Sequence, residues 1–533
     1  MTLRRFRLIF CLSTISITCL AATTCLAQKD PGVRGGLQNT GGGLQAQGKK
    51  IPPPPLISVN PSEATVTDNE KLLFFEGILR AGQLESTCDN CAMVTDGSPA
   101  VRNPLNGLAE ADPIFPQFTT NSNGLGARHN ADQCFACHAQ PTLGGSGGFL
   151  VPNPVQVAQG LPAGQPENPQ FNLIPHRFGK QNVVPSFELQ YGPIREVRFI
   201  YKVDANGDII RDDRGNPIPD GGVHQLWTVR GIQHDSTIPS CSLVQPDFEK
   251  QVRQHNVAFR IPLQMLGLGL IESIQDREIL AHQAATASAR AAFGIAGRPN
   301  RSGNDGTITR FGWKAQNKSI TMFAGEAYNV EMGITNEIFP TATEEDPGCN
   351  GLNKPEPNDV TRTATDDSFN QSFTNPLHIL ADWMEFQVMM RFTDGPQPDP
   401  HPSQSARRGK DVFNDTGCAL CHTPTMQTAP VMNSAVLQNR PVNLYSDILL
   451  HDMGVGLADG ISQGQAGPGE FRTTPLWGVG QRIFFLHDGR TSDLLEAIEA
   501  HRSPGSEANA VIDSFNHLRV SDKQAVLDFL RSL

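Results

Sequence analysis

"CFACH" at residues 134–138 and "CALCH" at residues 418–422 repeat one pattern 284 positions apart. In C-x-x-C-H, two thiols add across the two vinyl groups of a haem, and the adjoining histidine becomes the proximal ligand of its iron. The spacing is a covalent constraint, because both sulfurs must reach the macrocycle edge from about one helical turn. The pattern assigns one haem c to Cys134, Cys137 and His138 and a second to Cys418, Cys421 and His422. A zinc ribbon made from the two C-x-x-C pairs is the competing structural reading. Its pairs normally lie far closer together, and it gives no reason for a histidine after both. Disulfides within each pair explain the histidines no better.

Haem attachment of this kind belongs to exported proteins, and the start of the chain agrees. Arg4, Arg5 and Arg7 precede an apolar run from Leu8 to about Leu20, and "CLA" ends at Ala27, so residues 1–27 read as a signal peptide. The run is short for a membrane span, and Thr24 ahead of Cys25 is a poor lipidation context. A periplasmic protein that is not integral to the membrane is expected. Removing these residues removes three arginines and no acid, so the formal charge falls from −11 to −14. Such acidity argues against a nucleic-acid partner.

At 533 residues the chain has room for several domains and for large buried cofactors. Residues 28–65, with "GGLQNTGGG" and "IPPPPL", read as a disordered Gly/Pro-rich leader. The proline-rich "DGPQPDPHP" at 394–402 then separates an N-terminal haem domain with insertions, 66–395, from a C-terminal cytochrome c domain, 402–533. In the latter, "SARRGKDVF" begins a helix leading to the second motif, and the Ser-Asp pairs opening "SDLLEAIEAH" and "SDKQAVLDFLRSL" suit N-caps. Alternation is scarce, "VRFIYKV" at 197–203 being the best strand. The fold class is therefore mainly α: two cytochrome c-like haem domains with long irregular loops and a large insertion carrying a little β structure.

Of the other cysteines, Cys88 and Cys91 lie in "CDNCAM", where Ala92 replaces the ligand histidine, so a local disulfide or a redox dithiol is expected instead of a third haem. Cys241 and Cys349 remain for a disulfide. The sixth iron position decides function: a second strong ligand makes an electron carrier, an open position lets a small oxidant bind. For the second haem the chain offers Met453 in "LLHDMG" and His501 in "AIEAHRS", and spacing does not choose between them. For the first, no distal ligand stands out among His129, His176, His224, His234, His255 and His282. "NRSGNDG" at 300–306 is an oxygen-rich tight loop, either a turn or a Ca²⁺ site.

Both motifs, with "GNDGTITRFGWKAQN", "FAGEAYNVEMGITNE", "FRTTPLWGVG" and "FFLHDGRTSDLLEAIEAH", closely resemble the di-haem oxidoreductase family, over nearly all the chain beyond about residue 65. That family is more distantly similar to bacterial di-haem cytochrome c peroxidases, and its wider relatives include oxidases of protein side chains and rubber oxygenases. The resemblance of "RFGWKA" implies that Trp313 relays electrons between haems, with a core aromatic as the plainer reading. That of "YNVEMG" to the peroxidases' NPxEMG implies that Glu331 is the acid–base residue, with Glu326 as the competing acid. On the register of "FFLHDGR", His501 stands where those peroxidases usually have methionine, and His487 near the same haem. The 175 residues between His138 and Trp313 exceed the spacing in compact peroxidases, implying insertions that reshape access to the first haem.

These readings give a di-haem c-type cytochrome of peroxidase type. A small electron-donor protein, a cytochrome or cupredoxin, would reduce the C-terminal haem, ligated by His422 and His501, and hydrogen peroxide or another small oxidant would react at the N-terminal one. Glu331 would carry a proton between the peroxide oxygens. The alternatives are a non-catalytic electron-transfer cytochrome, an oxygenase or protein-modifying oxidase on the same scaffold, and a thiol oxidoreductase working through Cys88 and Cys91.

Overall fold

A computed structural model describes residues 183–228, 245–332, 395–430 and 437–533, with short pieces at 28–32, 102–103, 108–109, 128–130, 137–141, 144–148, 168, 170, 338–339 and 391. The signal segment, most of the leader, Cys88, Cys91, Cys134, His176, His234, Cys241 and Cys349 lie outside the described residues.

Every sheet among the described residues is a two-stranded antiparallel ladder. In chain order the strands are β1 (Arg102–Asn103), β2 (Leu108–Ala109), β3 (Arg128–His129), β4 (His138–Gln140), β5 (Ser146–Gly147), β6 (Glu196–Phe199), β7 (Trp227–Thr228), β8 (Val257–Arg260), β9 (Asn300–Arg301) and β10 (Ile308–Thr309). In the last third follow β11 (Met426–Gln427), β12 (Pro441–Val442), β13 (Leu450–Asp452) and β14 (Glu470–Arg472). The helices are α1 (Phe248–Arg253), α2 (Leu268–Glu272), α3 (Asp276–Ala292), α4 (Ile320–Met332), α5 (Gln404–Thr416), α6 (Leu494–Glu499), α7 (Asn509–Asn516) and α8 (Val520–Ser532). None of the described helices is long and apolar enough to cross a membrane.

The strand expected near 197–203 is present. β6 pairs with β8 in the register Glu196↔Arg260 to Phe199↔Val257, and bridges at Tyr201 and Val203 prolong it into an exposed arm. Both faces of β6 are covered: Val197 and Phe199 enter the main apolar core, while Glu196 and Arg198 face a cavity. The helix expected before the second motif is α5, capped by Ser403 Oγ accepting from Ala406 N at 3.0 Å. It packs on α8, where Gly409 lies against the Ala525 backbone and Phe413 meets Phe529 edge-on, centroids 5.3 Å apart. Asp493 caps α6 as its Ser-Asp pair suggests. For α8 the expectation is off by one element end: the helix starts at Val520 with Arg519 at its cap, and Asp522 sits in the first turn, bound by Arg408 and Arg519.

Two features cut across the linear domain reading. The main core joins Val197, Phe199 and Trp227 to Met426, Leu444, Ile448 and Trp477, so apolar packing continues through the proline-rich break. Within the stretch read as leader, residues 28–32 are docked: Asp30 Oδ2 pairs with Arg531 at 2.6 Å and accepts from Leu494 N at the start of α6. The loop 300–306 is a hairpin turn between β9 and β10, with the Asp305 carboxylate taken by Lys318 at 2.6 Å and by Thr307. Among the described residues no group of three or more His, Cys, Asp or Glu is arranged to hold a metal ion.

Candidate functional site: two cavities and a shared tryptophan

Gly417 ends α5 with a φ of 101°, a left-handed conformation that needs no Cβ there. The chain then turns at once into the 3₁₀ turn Cys418–Leu420, and His422 N closes on Cys418 O at 2.9 Å. Cys418 and Cys421 form no disulfide; both thiols, with His422, line a cavity of about 1420 Å³ that is partly open to solvent. Burial pushes the Cys418 thiol up to about 12, as expected of a sulfur in apolar surroundings.

His422 turns Nδ1 to the Tyr445 carbonyl at 3.2 Å, and burial lowers its pKa to about 4. It is thus a neutral imidazole with Nδ1–H bonded to the chain and Nε2 left with a lone pair, the tautomer a metal ligand requires. His501 repeats the arrangement from the C-terminal end of α6, with Nδ1 on the Ala497 carbonyl at 2.7 Å and its pKa lowered by burial. Both histidines line the cavity, as does Met453. His451 also lines it but is committed elsewhere: Nε2 meets Asp447 at 3.0 Å and Nδ1 meets Glu507 at 2.8 Å, and Asp447 in turn pairs with Arg290 at 2.6 Å. Burial opposes charge on His451, yet Cys421 and Asp447 hold its pKa well above the ordinary value.

The cavity wall fits an anionic macrocycle. Arg472 and Arg482 are buried in it, both lowered to about 10 by burial. Arg472 Nε donates to the Gly312 carbonyl, Arg482 Nη2 reaches Ser146 Oγ at 3.1 Å, and Arg482 Nε has no partner among the described residues. Two buried cations facing one apolar cavity call for negative charge inside it, which the propionates of haem would supply.

The first motif is described from Cys137 onward. Cys137 and His138 line a separate cavity of about 1080 Å³, so the two motifs do not converge on one metal. β4 and β5 fold back so that His138 Nδ1 lies 3.2 Å from the Gly145 carbonyl, and burial lowers this imidazole too to about 4. The wall also carries Glu196, Glu326, Glu331, Arg195, Arg198 and Arg260. From α4, Glu331 places Oε2 2.7 Å from Asn130 Nδ2, while Asn130 N donates to the Glu331 carbonyl at 2.6 Å. Burial first, then the charge of Glu196, pushes Glu331 up to about 8. Glu196 itself is held low against burial by Arg198, whose Nε lies 2.6 Å away. Glu326, the competing acid, accepts from Asn317 and is raised by burial. None of His224, His255 and His282 lines this cavity.

Trp313 lines both cavities. It is 9% exposed, donates from Nε1 to the Ile261 carbonyl at 2.9 Å, and meets His487 edge-on at 6.3 Å. His487 stacks on Phe471 at 4.4 Å and lines the second cavity. Beneath this aromatic group Arg260, Lys314 and Asp459 form a buried ion network, with Arg260–Asp459 at 2.6 Å and Lys314–Asp459 at 3.1 Å.

Sequence reading missed Glu196, Arg198, Asn130, His451, Arg472 and Arg482. For Glu196 and Arg198 a signal existed: in "EVRF" the period of two sets an acid and a base together on the face opposite Val197 and Phe199. For Asn130 and the two arginines, partners lie from 96 to 336 positions away, beyond local pattern, and His451 joins a near partner, Asp447, to one 56 positions on, Glu507.

No curated protein matches this sequence. Among solved structures, the chain is similar to a diheme peroxidase, BthA from Burkholderia thailandensis, at 12% identity over 46% of this chain and 76% of that one, with a TM-score of 0.26. It is also similar to a MauG-like protein associated with microbial copper homeostasis, at 18% identity over 30% and 55% with a TM-score of 0.20. A hydrazine synthase of Kuenenia stuttgartiensis shows 18% identity over 29% and 55%, also at 0.20. The chain thus spans about half the length of the hydrazine synthase and MauG-like chains. The family model described as "Di-haem oxidoreductase, putative peroxidase" matches residues 234–533, beginning past the first motif, whereas the sequence likeness was drawn from about residue 65. Because that stretch is 300 of 533 residues, the protein belongs to the di-haem oxidoreductase family.

Proposed function

We propose that the protein is an exported, periplasmic di-haem c-type oxidoreductase of peroxidase type. One haem would be tethered by Cys134 and Cys137 with His138 beneath it, the other by Cys418 and Cys421 with His422 and His501 on its two sides. When bound, haem supplies an iron that changes oxidation state and, where one axial position is open, takes up a small oxidant. Electrons from a small donor protein, a cytochrome or cupredoxin, enter at the C-terminal site and reach the N-terminal one, where hydrogen peroxide or another small oxidant is reduced.

The observation that carries this reading is Trp313, common to two cavities with different walls. In the C-terminal cavity, two histidines with Nδ1 bonded to carbonyls, His422 and His501, would both be available to hold the iron. In the N-terminal cavity, His138 stands with carboxyl groups and with no second described histidine. Trp313 shortens the path between them. His138, His422 and His501 are oriented by carbonyl acceptors, and burial, against those bonds, lowers the pKa of each. Glu331 holds a proton ready in the N-terminal cavity, as its raised pKa requires of an acid near pH 7.

The test is spectroscopic and kinetic. The holoprotein should show a high-spin component in its oxidised or half-reduced state and should oxidise a reduced cytochrome donor when hydrogen peroxide is added. Absence of both outcomes would leave a plain electron-transfer cytochrome.

A further inference from the structure

Glu331 does not stand alone in the N-terminal cavity. Its carboxyl and that of Glu196 line the same cavity, and the charge of Glu196 pushes Glu331 up. Two neighbouring carboxyls resist ionising together, so one of them keeps a proton. The neighbours decide which. Arg198 fixes Glu196 through Nε at 2.6 Å and is itself fixed by Nη1 on the Gly221 carbonyl at 2.8 Å, so the negative charge rests on Glu196. Asn130 holds Glu331 from the other side, and Asn130 Oδ1 accepts from Leu226 N at 2.9 Å, locking the amide's orientation.

The remaining charged groups around the pair are occupied. Arg260, opposite Glu196 on β8, gives its guanidinium to Asp459 and Gln463. Glu326 accepts from Asn317, and Arg195 donates to the Asp488 carbonyl. His138 across the cavity is neutral. Glu196 nevertheless keeps 20% of its side chain accessible and lines the cavity alongside Glu331, so both carboxyls can meet a small molecule there.

We propose that Glu196 is a second acid–base residue of this cavity, sharing one proton with Glu331, so that the pair takes one proton from a neutral protic oxidant and returns one to it. This rests on reading the cavity as the peroxide site. The proton leaving one peroxide oxygen goes to Glu196, while the proton on Glu331 goes to the other oxygen, which departs as water with the electron pair of the broken O–O bond. The oxygen left behind takes two electrons from the donor protein and two protons from solvent to become the second water. The pair ends with one proton, as it began. A neutral peroxide rather than an anion is the substrate class that suits this, since an anion would bring no proton for Glu196.

Infrared-monitored pH titration of the holoprotein tests the pair without reference to turnover. The parent should show a carboxylic-acid carbonyl band titrating near pH 8. Glu331→Gln should abolish it, and Glu196→Gln should move its midpoint down toward the ordinary carboxylate range. Glu196→Asp, which keeps a charge for Arg198 but shortens the reach to Glu331, should give a smaller shift the same way and serves if Glu196→Gln does not fold. On the same samples, either glutamine variant should lower peroxide turnover by about 10²-fold. No band above the ordinary range, or a band that Glu196→Gln and Glu196→Asp leave unmoved, overturns the pair even if the parent turns over peroxide. A band that behaves as expected in a protein with no peroxide turnover overturns the acid–base role together with the peroxidase reading.

Discussion

The Nδ1–H of His501 is committed to the Ala497 carbonyl at 2.7 Å, and that one bond fixes both the tautomer and the direction of the ring. Met453 lines the same cavity but has no such constraint, and a thioether can leave and return with little change around it. His501→Ala should therefore convert one low-spin iron of the holoprotein to high spin, whereas Met453→Ala should leave the spectrum low-spin. The reverse outcome would make Met453 the ligand. This choice was not legible in the chain, where both residues lie at acceptable distances from the second motif. It depends on which side chain a carbonyl has already oriented.

At the scale of elements, the second motif is positioned by the crossing of α5 and α8. Gly409 permits it, since a Cβ there would collide with the Ala525 carbonyl. Gly409→Ala should cost about 1–3 kcal/mol through overpacking, read as a lower Tm in calorimetry of the holoprotein, and should loosen the turn that carries Cys418 and Cys421. Helix α5 was legible because its cap and its apolar face repeat locally. The start of α8 was misplaced because Asp522 looks like a cap in sequence, while in space Arg408, 114 positions away, claims its carboxylate. A long-range ion pair overrode a local preference.

Across the whole molecule, Trp313 borders both cavities, and Arg260 of the N-terminal one belongs to a buried ion network. Asp459 is the only carboxylate paired with Arg260 and Lys314 among the described residues, and all three side chains are 0–1% exposed. Asp459→Ala should destabilise the protein by about 3–5 kcal/mol, because it strands buried positive charge; a Tm change within error of the parent would show that water reaches the network. Stability should also depend on pH in a defined direction. The folded pKa of Glu331, about 8, lies above the unfolded value near 4.5, so its contribution is fully present below pH 4.5 and is lost as pH rises through 8. Glu188, raised to about 8 by burial, acts with the same sign. Between pH 6.5 and 8 the Tm should therefore fall, and Glu331→Gln should flatten part of that slope.

By itself the sequence marked the two candidate attachment sites, because C-x-x-C-H is a constraint that acts over five residues and reads the same in any fold. It likewise determined the helices with local caps and the one strand with clear alternation. Tertiary structure alone decided that Trp313 borders both cavities, that Arg472 and Arg482 face the second with no acid paired to them among the described residues, and that Glu196 and Glu331 line one cavity with Arg198 fixed on Glu196. The physical reason is common to all three. The chemistry of a buried side chain depends on which charges and dipoles reach it after water has been excluded, and those neighbours come from positions that are distant in the chain.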